Sequence, residues 1–457
     1  MASNTNLGGV FNTDMDGNLG SKTFVSTENV VGLIFDTKIV GGVAAALGTG
    51  TLAATTFANG NVVELNVDKD IEAAGIDENV LSGIAKYHLD VFFKLAGDNN
   101  RIFVSFMDST TDSKFDAVEK MQLAANGVIY QIGVWTGEAI ATSGDGSTYT
   151  VADESILTKL QTVAEKLGGT IGSINYDGNC PVNILVSAPI LNAAEVDYKK
   201  LPDLTALENP KVSVLVGQPN TEQIHSLMFA VNHVVDSTAT FAPVGSVGAA
   251  LACLAVAPAN ESIAHVASFN LSAVMQDSEL GFGKITENTG KTAYEGTSSF
   301  TNIKTLNYSE RNRYLHKNGL IFLTNYDGEE NSVFFSSDQT LSVGDYRTIA
   351  RCRVMHKSRR VVRRALLPYV NDDHEIDATK GTLSASTITM FQNAVTNALD
   401  ANMVEPGTTK PQISGRSCTI DASQNILEND AISIQYALVP KGVSGVISVT
   451  EGFKSAI

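Results

Sequence analysis

The stretch Ile102–Val134, IFVSFMDSTTDSKFDAVEKMQLAANGVIYQIGV, decides the fold class. Ile102 to Met107 is apolar at nearly every position, which suits a strand covered on both faces. Asp112 or Ser113 can cap a helix that carries Phe115, Val118 and Met121 on one side. Asn126-Gly127 is a pair that ends a helix in left-handed backbone, and Val128 to Val134 is a second apolar run. Strand, helix and strand in this order predict a parallel unit closed by a crossover.

Outward from this unit the pattern repeats. Val30–Phe35, Val182–Val186 and Val212–Val216 are further short apolar runs, and Ile156, Leu157, Leu160, Val163, Ala164 and Leu167 recur at helical spacing up to Gly168-Gly169. The fold class is therefore α/β with a mostly parallel sheet. Ser237 to Asn260 carries no charge, but Pro243 and Pro258 confine any helix to about 244–257. That is too short for the ~20 residues of a bilayer span, so it reads as a small-residue helix packed inside a domain.

Residues 1–25, rich in Gly, Asn, Asp and Thr, read as an N-terminal arm, with neither the basic nor the apolar region of a signal peptide. The α/β domain is assigned to 26–270. An α+β domain follows at 271–430. Within it Leu280–Asn302 reads as loop, Tyr314–Thr324 as a strand, Asp327-Gly328 as a turn and Ser332–Ser336 as a second strand. Ser384–Met403 reads as a helix with Ile388, Phe391, Val395 and Leu399 on one stripe. Ile432, Ile434, Tyr436 and Leu438 alternate with smaller or polar residues, and Val446-Ile447-Ser448-Val449 lies beyond a Pro/Gly-rich connector. Residues 431–457 read as a C-terminal strand arm able to pair in its own domain or on a neighbour's sheet edge.

The chain has 457 residues, too many for one ordinary core. Forty-nine acidic residues against 32 basic give a net charge of −17, which disfavours a general nucleic-acid or anionic-membrane surface. Cys180, Cys253, Cys352 and Cys418 are scattered without metal-ligand spacing and read as reduced core residues.

Three constellations invite chemistry and none sustains it. Thr289-Gly290-Lys291-Thr292 has Ile285 where a phosphate-binding loop needs its leading glycine. Gly296-Thr297-Ser298 and the strand-closing Asp108 echo a serine protease of the subtilisin type, yet no histidine is followed by Gly-Thr and Asp108 lacks the following glycine. Asp372-Asp373-His374-Glu375-Ile376-Asp377 lacks the glycine and spacing of a calcium loop and reads as solvated. No catalytic, cofactor-binding or metal residue is assigned.

The basic segment stands apart. Arg347 to Arg364 holds eight of the 32 basic residues and no acid. On a helix Arg353, Lys357, Arg360 and Arg364 fall on one stripe, with Val354, Met355, Val361, Val362, Ala365 and Leu366 over much of the opposite side. The expectation is a helix anchored by its apolar face, with a charged stripe turned to solvent, to internal acids or to an acidic partner. RNA or DNA is disfavoured because no aromatic residues are interleaved.

The order of parts Tyr314–Phe322, Tyr326-Asp327-Gly328, Ser332–Phe335, Asp345-Tyr346 and Arg353–Arg360 resembles the C-terminal region of contractile-tail sheath proteins. The resemblance implies a subtilisin-like sheet without its triad, an α+β sheath domain and two extended arms. It implies a structural subunit, not an enzyme, that polymerises with its own copies as stacked rings or a helix around an inner tube. Contraction of the assembly would then drive the tube through a target envelope. Further implied partners are baseplate and tail terminator proteins, with no nucleic acid and no membrane insertion. The implied location is a virion tail or contractile particle assembled in the cytoplasm of a producing bacterial cell. Within that frame Arg353, Lys357, Arg360 and Arg364 would face the tube, and Val446, Ile447, Ser448 and Val449 would supply the inter-subunit strand. The competing readings are another virion component of capsid or tube type, and an enzyme on an α/β scaffold.

Overall fold

The computed structural model describes residues 29–38, 42–77, 80–137, 140–142, 149–151, 154–168, 180–188, 190–192, 201–219, 221, 223, 224, 227, 244–276, 278, 279, 281–283, 306–326, 332–404 and 410–448. The expected arm at 1–25, the Thr289–Thr292 and Gly296–Ser298 motifs and the Asp327-Gly328 turn lie outside them. The chain divides into two compact units, with the division inside one helix between Lys357 and Ser358.

The first unit is built on a seven-stranded sheet. Its strands are β1 (Val31–Asp36), β2 (Val63–Leu65), β3 (Ile102–Met107), β4 (Gln131–Trp135), β5 (Asn183–Ser187), β6 (Val212–Leu215) and β7 (Leu320–Ile321), in the order β7-β6-β5-β4-β1-β3-β2. Only the edge strand β2 is antiparallel. Residues of β1, β3, β4 and β5 are buried on both faces, which accounts for their unbroken apolar runs.

Five helices frame the sheet and the basic segment: α1 (Val80–Ala96), α2 (Asp116–Ala124), α3 (Glu154–Gly168), α4 (Val247–Val256) and α5 (Ile349–Leu366). Helices α2 and α4 cover opposite faces of the sheet. A Cβ on Gly32 would strike Met121 of α2, whereas one on Gly133 would strike Val247 and Leu251 of α4. Asp112 caps α2 as expected, although the helix proper begins at Asp116; its carboxylate accepts from Asp116 N at 2.8 Å and Ala117 N at 2.9 Å. The Asn126-Gly127 stop has positive φ at both residues.

Three expectations need correction. The first unit does not end at residue 270, because β7 lies far along the chain yet pairs in parallel with β6. Tyr314–Thr324 is not one strand. Asn307 and Glu310 form a reciprocal cap that starts a helix at Tyr308, which continues through Leu315; the turn His316–Asn318 and Gly319 at φ +83° then precede β7 and a short strand Leu323–Thr324. Gly281–Gly283, read as loop, pairs with Ile190–Asn192; the rest of the Leu280–Asn302 stretch lies outside the described residues. None of the four cysteines is in a disulfide; Cys253 and Cys352 are buried while Cys180 and Cys418 are only partly so.

In the second unit, 358–457 among the described residues, helix α6 (Ala385–Leu399) carries the expected stripe, with Phe391, Val395 and Leu399 buried. It packs on an antiparallel hairpin of β8 (Ile413–Ile420) and β9 (Ile434–Pro440). Arg416 of β8 donates to Asp400 just past α6. The acidic stretch 372–377 is irregular apart from an antiparallel bridge between Ile376 and Leu383, and leads into a turn at 378–380 where Asp377 accepts from Thr379 N at 2.9 Å. Among the described residues no helix is long and apolar enough to cross a membrane.

Candidate functional site

The basic helix α5 begins where Asp338 receives its first free amides: Ile349 N donates to Asp338 O at 2.7 Å and Ala350 N to Asp338 Oδ2 at 3.3 Å. Burial pushes this carboxyl's pKa up, against the hydrogen bonds from Ala350 and Ser262 and the charge of Arg351.

The charged stripe is not a uniform surface. Arg353 is 0% exposed and Lys357 is buried, Arg360 is partly buried, and only Arg364 is exposed. The reason lies in α4. An apolar helix that stops ahead of Pro258 leaves buried carbonyls without intrahelical donors. The Arg353 guanidinium supplies them, donating to Leu254 O at 3.0 Å, Ala257 O at 2.8 Å and Pro258 O at 3.3 Å. A cation at the C-terminal end of α4 also matches that helix's dipole.

The opposite side is less buried than expected. Val354 and Val362 are buried, but Met355, Val361, Ala365 and Leu366 are only partly so. Arg363 and Arg364 form the exposed basic end, in the last turn where positive charge is locally favourable.

At the C-terminus, the alternating residues of the expected arm are paired inside their own unit. Cys418 faces Tyr436 and Ile420 faces Ile434 in the β8–β9 hairpin, and Ser358 Oγ lies 3.1 Å from Tyr436 Oη. Pairing within the unit therefore runs from Ile434 to Pro440, inside the stretch expected to be an arm from 431. From 441 to 448 the backbone forms no strand, and Val443, Val446 and Ile447 are 67%, 70% and 80% exposed, with Ser448 exposed as well. Val449 lies outside the described residues.

One further constellation has no signature in the sequence beyond the helical spacing of two of its members. Glu261, His265 and Ser268 meet on an exposed turn, which has the composition of a hydrolase triad. The geometry is wrong for that chemistry. Ser268 and Glu261 both approach Nδ1 of His265, and Ser268 Oγ donates to Glu261 at 2.6 Å, whereas a triad needs nucleophile and carboxylate on opposite ring nitrogens. Asp108 accepts from Thr110 N and Oγ1 and closes a local turn.

Residues 345–457 match the family described as DUF2586, C-terminal domain. No curated protein matches the sequence. Among solved structures, a chain of the anti-feeding prophage baseplate, 6-fold symmetrised, superposes with a TM-score of 0.53 at 12% identity. A chain of the anti-feeding prophage helical sheath in contracted state gives 0.53 at 13%. Both alignments cover 98% of this chain and 99% of the other. The chain thus shares its fold with these chains of the anti-feeding prophage baseplate and helical sheath.

Proposed function

We propose that the protein is a sheath subunit of a contractile machine, polymerising with its own copies around an inner tube and contracting to drive that tube through a target envelope. The observation that carries this reading is the near-complete coverage of both chains by the sheath likeness. The exposed apolar side chains of Val443, Val446 and Ile447 support it, since the sequence Val446–Val449 would be suited to adding a strand to a neighbour's sheet. A subtilisin-like origin for the first unit belongs to the same proposal, supported by a mostly parallel sheet covered on both faces. Assembly in the producing cell's cytoplasm, and baseplate and terminator proteins as neighbours, complete it.

Electron microscopy of the purified full chain tests the reading: tubes or rings are expected, and a strict monomer at high concentration with both termini intact refutes it. Removing Val446–Ile457 is expected to abolish assembly while leaving the thermal transition and circular dichroism of the subunit unchanged. The equal likeness to a baseplate chain favours one second reading, a single ring seated at a baseplate. Micrographs separate the two by length, extended tubes against isolated rings.

For the tube contact, the burial of Arg353 and Lys357 leaves Arg364, with part of Arg360, as the accessible portion of the stripe. Exposed ion pairs are each worth about 0–1 kcal/mol, which suits an interface that must release. Arg364→Glu is expected to raise the concentration needed for tube-dependent assembly up to about fivefold and to flatten its salt dependence. Subunit stability should fall by less than about 1 kcal/mol, the dipole contribution alone. Unchanged assembly and unchanged salt dependence would remove Arg364 from the contact.

A further inference from the structure

Helix α4 is seated at its N-terminal end by a histidine that plays no part in the assembly reading. His88 of α1 is fully buried, with Nε2 2.9 Å from Val244 O, and Gly248 N donates to its Nδ1 at 3.3 Å. A carbonyl can only accept and an amide can only donate, so these two contacts select the neutral ring with its proton on Nε2. Trp135 of β4 donates from Nε1 to the same Val244 carbonyl at 3.0 Å. One imidazole therefore ties α1 to the entry of α4, and satisfies a first-turn amide that has no partner within its own helix.

The surroundings offer a second proton little compensation. On α1 the neighbour is Tyr87, its ring 5.4 Å from the imidazole, with a hydroxyl whose pKa burial raises. From β1 come Phe35, at 6.1 Å, and the adjacent buried Asp36, whose carboxylate accepts from Lys38 N and Ser109 N. From β4 comes Trp135. The short helix Val43–Leu47 packed on α1 has no titratable group. On α4 there is only Cys253, whose thiol burial holds neutral, with its pKa pushed up to about 12. Among the described residues no carboxylate is bonded to the ring.

We propose that His88 is a proton-operated release for α4: protonation turns Nδ1 from acceptor to donor against the Gly248 amide, sets a positive charge at the positive end of the helix dipole, and unseats α4 from α1 and β4. The direction agrees with the burial, which lowers the imidazole pKa from 6.5 to about 4 despite the Val244 contact. The folded-state value is depressed, so an opened state takes up the proton first as pH falls. The seat is at full strength above about pH 6.5 and weakens about tenfold per unit toward pH 4, about 300-fold in all.

Hydrogen exchange of the full chain, corrected for intrinsic rates and read at residues 247–251 between pH 7.5 and 4.5, tests this. Opening there is expected to rise about thirtyfold from pH 7.5 to pH 5. His88→Gln, whose amide can donate to Val244 O and accept from Gly248 N without titrating, should remove that dependence. Equal pH dependence in wild type and variant, or acid opening elsewhere with 247–251 unchanged, overturns the proposal. If His88→Gln does not fold, nitrogen NMR of the wild-type ring decides. A proton on Nε2 at pH 7 with a midpoint below pH 5 supports the release, and a ring titrating near 6.5 overturns it.

Discussion

Gly248→Val is expected to leave the first unit unfolded or nearly so at 25 °C, and Gly248→Ala to cost about 3 kcal/mol. Helix propensity alone gives the opposite sign for alanine, about 1 kcal/mol of stabilisation in a helix interior. What reverses it is the crossing of α1 and α4. A Cβ on Gly248 would lie 2.4 Å from the carbonyl oxygen of His88, 2.9 Å from its Cα and 3.0 Å from its carbonyl carbon. All three are backbone atoms, so no rotamer can make room and the two helices must part. Their separation would also draw Gly248 N away from His88 Nδ1 and Val247 and Leu251 away from Gly133. Valine adds two further methyl groups in the same gap, against a total stability that for a globular protein is about 5–15 kcal/mol. Urea unfolding of both variants checks this, with Gly344→Ala as control, since a Cβ there meets only Ser342 Oγ at 3.6 Å. A Gly248→Ala protein as stable as the control would mean that the helices do not cross this closely.

The contrast between Gly248 and Arg353 shows what a sequence can and cannot disclose here. Runs such as Ile102–Met107 and Asn183–Ser187 are apolar because both faces of the central sheet are covered, and that pattern is legible without coordinates. Caps are legible too. Asp112 and the Asn126-Gly127 stop can be read directly, and so can the Asn307-to-Glu310 box that makes 308–315 helical, although the apolar run after it imitates a strand. The basic stripe is a different case. A helical wheel gives the angular spacing of Arg353, Lys357, Arg360 and Arg364 but not which side of the helix meets protein, and charge by itself points to solvent. Only the carbonyl ends of α4, about a hundred residues earlier in the chain, make the interior a favourable place for a guanidinium. The unit boundary is hidden for a related reason: β7 joins its sheet through a pairing with β6 that no local pattern announces.

Arg353→Met should therefore destabilise the first unit by about 3–5 kcal/mol, the summed cost of leaving three carbonyl acceptors without their donor. Methionine restores much of the volume of the aliphatic stem but none of the donors, so the carbonyls of Leu254, Ala257 and Pro258 would lose bonds of 3.0, 2.8 and 3.3 Å at once. Buried acceptors left without donors carry a desolvation penalty of about 1–3 kcal/mol each, partly relieved if water enters. Arg353→Lys separates charge from geometry. An ammonium keeps the charge at the end of α4 but cannot fork across three carbonyls, so an intermediate loss of about 1–3 kcal/mol is expected. Arg364→Met, at the exposed end of the same helix, should stay within about 0.5 kcal/mol. Chemical denaturation of the three variants orders them. If Arg353→Met behaved like Arg364→Met, the stripe would be a solvent-facing surface along its whole length, and the tube contact would regain all four residues. If the order holds, the first half of the helix clamps the end of α4, and only its basic end stays open to solvent.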